Sequence, residues 1–307
     1  MQFNDSTENI QLNASWLAIG TFDGIHLGHQ KILSELVIGA NQAGYPTVVI
    51  TFHPHPATIL HNRSGRFYLT SPQERENLIR SCGVDFVHIY HFDRITSRTS
   101  AIDFLIGIHK QIHMKQLVVG HDFALGKDRE GDLDELIRIG KKLRYQVEKF
   151  GPFRLDGDIV SSSAIRKHLV EGKIKITNRM LDRPFKVDGI VVPGDGRGRE
   201  IGIPTANLDV WKEHILPKPG VYLNQVNLDG NLLPAVTNIG VRPTFDGEEL
   251  RIETHLIDFQ GDLYGRNLSL FFLDRLRDEV KFSSVQHLVT QIQSDILQAK
   301  LLYATQD

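Results

Sequence analysis

The chain has 307 residues, a hydrophobic content of 41% and a formal net charge of −2. This length suits two domains with real cores, and the charge gives no global basic field that would attract a nucleic acid. The single cysteine, Cys82, excludes an intrachain disulfide framework and a cysteine-based zinc site. The sequence also lacks a signal peptide and a run of 18 apolar residues. We therefore expect a cytoplasmic protein with neither nucleic acid nor membrane as partner, in an oligomeric state that the sequence does not define.

The first half of the chain alternates predicted strands with predicted helices. An apolar strand at 16–19 is followed by a glycine turn and an amphipathic helix, and Ser71, Pro72 and Glu74 form a capping box that opens another helix. The remaining predicted elements are strands at 47–52, 86–90, 117–120 and 158–160 and a helix at 100–112. This alternation predicts a parallel sheet with crossover helices, which binds ligands at the carboxyl ends of its strands.

The pattern changes after about residue 182. Predicted strands with period-two alternation cover 185–191, 221–228, 231–239, 252–259 and 268–273, and one helix covers 284–300. Asp229 and Gly230 predict a type I′ turn that joins two of these strands into a hairpin. We therefore predict an α/β protein, with a Rossmann-like domain at 1–182 and an antiparallel β-barrel with a terminal helix at 183–307.

The turn after the first strand is the first candidate site. It carries Gly20, Thr21, Phe22 and Asp23, followed by two histidines, His26 and His29. A strand, a glycine turn and a helix bring backbone N–H groups up to a phosphate, and the imidazoles can stabilise the charge of a triphosphate during nucleotidyl transfer. Zinc is the alternative ligand, but it usually needs three or four protein ligands and favours an i, i+4 pair on a helix.

A second phosphate site is indicated by Ser161-Ser-Ser-Ala-Ile-Arg166, at the start of a predicted helix. Ser162 and Ser163 offer hydroxyl and N–H groups, and Arg166 can hold phosphate oxygens bidentately. The alternative is an N-capping serine followed by a surface arginine.

The second half contains a glycine-rich loop after a strand. This loop can approach phosphates through its backbone N–H groups, although such loops are also ordinary turns; its residues are Gly194, Asp195, Gly196, Arg197 and Gly198. Thr205 and Asn207 follow closely, and their neutral oxygens suit Mg²⁺ bound together with phosphate. Their alternative role is to hydrogen-bond the backbone of a turn.

One carboxylate is a candidate general base. Glu253 shares a strand face with Arg251 and His255, opposite Ile252 and Leu256. A kinase needs a carboxylate to orient and deprotonate an alcohol, whereas the simpler alternative is a solvent-facing pair with Arg251.

Taken together, these segments resemble the bacterial bifunctional riboflavin kinase/FMN adenylyltransferases, from about Trp16 to the last helix. The matching segments are Gly20-Thr-Phe-Asp-Gly-Ile-His-Leu-Gly-His29, Thr51-Phe-His-Pro-His-Pro56, Val119-Gly-His-Asp-Phe-Ala-Leu-Gly126, Ser161 to Arg166, Gly194-Asp-Gly-Arg-Gly198, Gly202-Ile-Pro-Thr-Ala-Asn207, Asn238-Ile-Gly-Val-Arg-Pro-Thr244, Leu263-Tyr-Gly-Arg266 and Leu276-Arg-Asp-Glu-Val-Lys-Phe282.

The resemblance implies two reactions: a C-terminal domain that phosphorylates riboflavin with Mg-ATP, and an N-terminal domain that converts FMN and ATP to FAD and pyrophosphate. It implies that His26, His29, Ser162 and Arg166 contact ATP phosphates in adenylylation. It places the 120–123 turn, with Asp122 and Phe123, beside nucleotide and flavin, assigns Mg²⁺ to Thr205 and Asn207 and the base to Glu253, and puts Arg277 and Phe282 at the flavin.

This sequence departs from the family at Ala124, where an arginine or another polar residue is common. The departure removes a possible cationic contact from the N-terminal site. The departure bears on substrate affinity and not on the class of reaction. Two alternative functions accompany the bifunctional one: a riboflavin kinase with an inactive N-terminal domain, and a flavin-binding regulatory protein.

Overall fold

The computed structural model describes residues 11–244 and 247–305, without the side chains of 197, 242–244 and 247–249. The chain forms two compact units that divide between Ser162 and Ser163. Among the described residues, no helix is both long and apolar enough to cross a membrane.

From residue 11 onward, the first unit contains five α-helices and seven strands. The helices are α1 (Leu27–Ala43), α2 (Pro56–Leu60), α3 (Pro72–Ser81), α4 (Ala101–Ile112) and α5 (Leu133–Leu143). The strands are β1 (Ser15–Ile19), β2 (Thr47–His53), β3 (Phe86–His91), β4 (Met114–Val119), β5 (Gln146–Lys149), β6 (Arg154–Leu155) and β7 (Asp158–Ile159).

Five of these strands form the predicted parallel sheet, in the order β3-β2-β1-β4-β5. Strand order reverses between β1 and β4, which makes the carboxyl ends of this pair the topological switch point. The sequence patterns missed β5. The strand predicted at 158–160 is the two-residue β7, which pairs with β6 outside the sheet.

The sheet is covered on both faces. Alternate residues of β1 point to opposite sides, so that Ala18 packs with Leu33 of α1 and Ile79 of α3, and Leu17 packs with Leu105 of α4 and Leu136 of α5. The predicted capping box is confirmed at α3, where the Ser71 side chain accepts a hydrogen bond from the Glu74 N–H.

The second unit contains the barrel. Its helices are α6 (Ser162–Val170), α7 (Ile174–Leu181), α8 (Arg197–Glu200) and α9 (Val285–Ala304). Its strands are β8 (Phe185–Val192), β9 (Ala206–Val210), β10 (Gly220–Leu228), β11 (Asn231–Thr244), β12 (Gly247–Leu256) and β13 (Asn267–Arg277).

The six strands close into an antiparallel barrel in the order β10-β11-β12-β9-β8-β13. The predicted turn at Asp229 and Gly230 joins β10 to β11, and both residues have positive φ, as a type I′ turn requires. Helix α9 packs outside the barrel wall, where Ala299 meets Val221 and Leu223 of β10. Strand β9 was not predicted from the sequence.

Helix α7 packs on the barrel. Asn178 donates from its side-chain amide to the Phe272 carbonyl oxygen at 2.8 Å and accepts from the Phe185 N–H at 2.9 Å. The division at Ser162 therefore assigns α7 to the barrel unit, while the functional domain boundary at 182/183 stays a prediction.

Candidate active sites

The switch point of the parallel sheet brings two predicted segments together. The turn that begins at Gly20 follows β1, and the 120–123 turn follows β4, its neighbour in the sheet. Phe123 packs against the core, whereas Asp122 is exposed and its carbonyl oxygen accepts a hydrogen bond from Arg129 at 2.8 Å. Both turns therefore follow the carboxyl ends of adjacent strands, which is where a parallel sheet binds ligands.

The two histidines of the turn after β1 hold each other in place. His26 is the N-cap of α1, and its Nδ1 accepts from the His29 N–H at 3.3 Å. The imidazole rings stack with centroids 3.7 Å apart and planes 17° apart, and the Phe22 ring contacts His29 edge-on at 5.2 Å. Because the N-terminus of α1 carries positive partial charge, the pair lies where a phosphate binds well.

The buried side chain of Asp23 stabilises this turn through hydrogen bonds. Its side chain is fully buried and accepts hydrogen bonds from the N–H groups of Leu69 and Thr70 at 3.1 Å and from the Thr70 hydroxyl at 3.2 Å. The sequence placed Asp23 among nucleotide ligands. In the structure its carboxylate joins the turn to the segment that precedes α3.

A buried arginine that the sequence patterns missed supports the same turn. Arg75 of α3 is fully buried and donates to the carbonyl oxygens of Thr21 and Phe52, each at 2.9 Å. Burial lowers the pKa of its guanidinium. The signal that would have found it is its place on the buried face of α3 with Pro72 and Ile79.

The last residue of the first unit contacts this turn. The Ser162 hydroxyl donates to the Asp23 carbonyl oxygen at 2.8 Å. Ser163 and Arg166 follow on α6, and Arg166 lies one turn after Ser162 on the same helix face.

In the barrel unit, three predicted site residues lie in one row across neighbouring strands. Arg277 pairs with Val221, which pairs with Asn238; Asn238 pairs with Glu253, and Glu253 with Asn207. Residues directly opposite on neighbouring strands share a face with Cβ atoms about 5 Å apart. The row therefore gathers residues 207, 253 and 277 on the face where Val221 meets α9.

The glycine loop lies directly against Asn207 and Thr205. A Cβ on Gly194 would stand 2.0 Å from Asn207 Nδ2, and one on Gly198 would stand 3.1 Å from Thr205 Oγ1. Arg251 donates to the carboxylate of Asp195 at 3.3 Å. Gly196 has positive φ, and the prediction for the Arg197 side chain lies outside the described residues.

A pocket of about 300 Å³ opens beside Thr205. Its lining includes Ala206 and Thr254 of the barrel wall and Leu263 and Tyr264 of the loop before β13. Backbone hydrogen bonds between Val191 and Arg266 (2.9 Å) and between Gly265 and Val191 (2.9 Å) fix this loop to β8. The lining combines apolar and polar side chains, as small-molecule sites do.

The predicted flavin residues lie at the other end of the row. The Arg277 guanidinium is 5.8 Å from the centre of the Phe282 ring, and it donates to the Asp295 carboxylate of α9 at 2.7–3.1 Å. The sequence analysis did not single out Asp295, because a lone aspartate on a helix reads as a surface charge.

Comparison with known proteins matches both units. Residues 8–164 match the family model described as FAD synthetase, and residues 181–303 match the one described as riboflavin kinase. The bifunctional riboflavin kinase/FMN adenylyltransferase of Pseudomonas fluorescens is 38% identical over 93% of this chain and 92% of its own length. The Escherichia coli K12 protein of the same name is 35% identical over 92% and 91%.

A solved structure agrees over the whole length. A Streptococcus pneumoniae protein described as a macrolide-efflux protein superposes with a TM-score of 0.88, at 30% identity over 97% of both chains.

A parallel-sheet unit that matches FAD synthetase, followed by a closed barrel that matches riboflavin kinase, defines a two-domain transferase of phosphorus-containing groups. The chain belongs to the family of bifunctional riboflavin kinase/FMN adenylyltransferases. It phosphorylates riboflavin to FMN and adenylylates FMN to FAD, with the FAD synthetase domain first and the riboflavin kinase domain second.

Proposed function

We propose that Glu253 is the base of the kinase reaction. Its carboxylate accepts the proton of the terminal ribityl hydroxyl of riboflavin, and the hydroxyl oxygen bonds to the γ-phosphorus of ATP as the bond to ADP breaks. The observation that supports this role is the pairing of Glu253 with Asn207, which itself lies against the Gly194 loop. Asn207 therefore lies between the proposed base, Glu253, and the loop at Gly194 whose backbone is proposed to bind phosphate.

The pocket beside Thr205 is the proposed binding site of ATP in the kinase reaction. We propose that the purine of ATP enters this pocket and that its phosphates run along Gly194, Asp195, Gly196, Arg197 and Gly198 toward Asn207. The Arg251 guanidinium holds Asp195 and so orders the loop. Backbone N–H groups of such a loop supply fixed positive dipoles for phosphate oxygens.

Mg²⁺ fits the side chains at this loop. Thr205 and Asn207 have neutral side-chain oxygens and lie so close to the glycine loop that a Cβ on Gly198 or Gly194 would contact their side chains. Mg²⁺ usually completes its shell with phosphate and water. When bound, the ion neutralises charge on the transferring phosphate. We propose Thr205 and Asn207 as its protein ligands.

The flavin lies along the strand row in this proposal. Arg277 and Glu253 are separated by Val221 and Asn238, which is three strand spacings or about 14 Å. A ribityl chain and a three-ring system together cover such a distance. The ring end therefore lies at Arg277 and Phe282, and the terminal hydroxyl lies at Glu253.

In the first unit, we propose that a phosphate oxygen of FMN attacks the α-phosphorus of ATP and releases pyrophosphate. His26 and His29 donate to the phosphates, as do the backbone N–H groups from Gly20 to Asp23 and of Ser162. The assignment of Ser163 and Arg166 to phosphate oxygens stays a prediction from the sequence. Asp122 and Phe123 border the flavin. The support is the fixed histidine stack at a helix N-terminus at the switch point.

Three broader predictions remain part of the proposal. The domains are 1–182 and 183–307, the protein is cytoplasmic, and its partners are small molecules rather than nucleic acids. A single cysteine and a net charge of −2 support the last two.

The experiment that tests the separate sites resolves flavin products by chromatography after incubation with riboflavin, ATP and Mg²⁺. We expect Glu253→Gln to lower FMN formation by at least about 10²-fold while conversion of added FMN to FAD continues, because only the base is removed. His29→Ala is expected to do the reverse. Loss of both activities from one substitution in folded protein would contradict the assignment, and exposed Glu213→Gln is the control.

A further inference from the structure

We propose that Asp295 is a positioning residue of the riboflavin site, acting through Arg277. This inference rests on the proposed place of Arg277 at the flavin. Asp295 lies on α9, outside every motif that the sequence resemblance contains, and it is 2% exposed.

The hydrogen bonds fix the Arg277 guanidinium in one orientation. Nε donates to both carboxylate oxygens of Asp295 at 2.9 and 3.1 Å, Nη2 donates to Oδ2 at 2.7 Å, and Nη1 donates to the Asp278 carbonyl oxygen at 3.0 Å. These contacts occupy three of the five guanidinium N–H groups. Among the contacts of the described residues, the other two N–H groups remain available to a ligand.

Asp295 is itself held in place. Gln291, one helical turn earlier, donates from its side-chain amide to Asp295 Oδ1 at 2.9 Å. One turn later, Ala299 packs against the barrel strand that carries Val221. The carboxylate is therefore fixed to a helix that is itself packed against the strand row.

Stability alone does not explain this pair. Burying a carboxylate is costly, and apolar residues of similar size often replace a buried ion pair without loss of stability. A bidentate carboxylate does, however, set the plane and direction of a guanidinium, which a ligand with a flat polar ring can use. The geometry thus favours a role in substrate binding.

The test compares steady-state kinetics of Asp295→Asn with those of the unmodified protein. We expect the KM for riboflavin to rise about tenfold or more, with kcat changed less than about threefold, because the removed interaction acts equally on ground and transition states. The KM for ATP and the conversion of FMN to FAD are expected to stay unchanged. A matched control is Lys300→Met, which removes the exposed ion pair between Lys300 and Asp258 on the same helix.

A double-mutant cycle separates this inference from the proposed function. If Asp295 acts through Arg277, the KM of the Arg277→Met/Asp295→Asn double variant will equal that of Arg277→Met alone. A riboflavin KM that rises in Arg277→Met but not in Asp295→Asn would overturn the role of Asp295 only. An unchanged KM in Arg277→Met would overturn the proposed flavin contact and this inference with it.

A milder variant keeps the test valid if Asp295→Asn fails to fold. Gln291→Met removes one hydrogen bond from the Asp295 carboxylate without leaving a charge unpaired. We expect a rise of about twofold to threefold in the riboflavin KM, which corresponds to one weak hydrogen bond. A KM equal to that of the unmodified protein in this folded variant would overturn the positioning role.

Discussion

Asn207 and Glu253 lie directly opposite each other on β9 and β12, although 45 residues separate them in the sequence. An amide and a carboxylate are thereby held on one face of the barrel wall, beside a loop whose glycines allow the backbone to approach. This single register brings the proposed metal ligand next to the proposed base. A shift by one residue would turn one of them into the barrel interior.

The first prediction concerns the space at Gly194. In Gly194→Ala the new methyl group would stand 2.0 Å from Asn207 Nδ2, so the Asn207 side chain must move. Since a displacement of about 1 Å at a reacting centre costs about 10²-fold, we expect a loss of this order in riboflavin kinase kcat/KM. Steady-state kinetics measure it, with FMN adenylylation as the internal reference.

The control for this substitution is Gly107→Ala, where a Cβ would meet no atom within 4 Å and no positive φ is required. Both activities should persist in that variant. Kinase activity in Gly194→Ala equal to that of the unmodified protein would show that Asn207 need not stay against the loop.

The second prediction concerns metal dependence. Asn207→Ala removes one proposed oxygen ligand, and we expect the Mg²⁺ concentration for half-maximal kinase activity to rise about tenfold, by analogy with the loss of one directing interaction at a metal site. Titration with Mg²⁺ after treatment with EDTA measures this shift. The Mg²⁺ dependence of adenylylation should stay the same, and a kinase titration curve that does not move would argue against Asn207 as a ligand.

The local features of both sites could be predicted from sequence because they depend on neighbouring residues. The turn after β1 has glycines and a helix start within a few residues, and the Asp229-Gly230 hairpin needs only its two turn residues. Local sequence patterns did not predict the order of the strands in either sheet. The row that joins Asn207, Glu253 and Arg277 arises from pairing between distant strands, which no local pattern records.

Buried charges were missed for a related reason. Arg75 and Asp295 each occupy the buried face of a helix, but in the sequence they look like ordinary surface residues. Their partners are backbone carbonyl oxygens of distant strand ends in one case and a strand arginine in the other. Similarly, the sequence patterns did not predict β9, whose strand partners on both sides come from distant parts of the barrel.

The third prediction concerns pH. Burial and the nearby charge of Arg75 lower the pKa of His53 from 6.5 to about 4. Between these values the unfolded chain binds a proton at His53 that the folded chain does not, so the free energy of unfolding falls as pH decreases from about 6.5 to 4. We expect His53 to account for a loss of about 1 kcal/mol between pH 7 and 5, since solvent screens part of the effect at this partly exposed ring.

Urea unfolding at the two pH values measures this loss. Trp16 and Trp211 are the two tryptophans, so a Trp211→Phe background makes Trp16 fluorescence a reporter of the first unit. In that background His53→Gln should lose less stability on acidification, whereas exposed His61→Gln should behave like the parent. Identical pH dependence in the His53→Gln variant and the parent would rule out His53 as the source.

The fourth prediction concerns the hydrogen bonds of Asp23, which stabilise the histidine turn. In Asp23→Asn the new amide places N–H groups where the carboxylate accepted hydrogen bonds from Leu69 and Thr70, in a fully buried position. We expect the free energy of unfolding of the first unit to fall by about 2–4 kcal/mol, since buried donors lose a charged acceptor. Trp16 fluorescence in the Trp211→Phe background measures this loss. Asp134→Asn, on the exposed start of α5, should change stability by less than about 0.5 kcal/mol.

Because the same turn carries His26 and His29, the adenylylation rate of the folded Asp23→Asn fraction should fall while the kinase rate stays constant. Full stability of this variant would mean that the turn is held by its remaining contacts, which include the Arg75 bond to Thr21 and the Ser162 bond to Asp23.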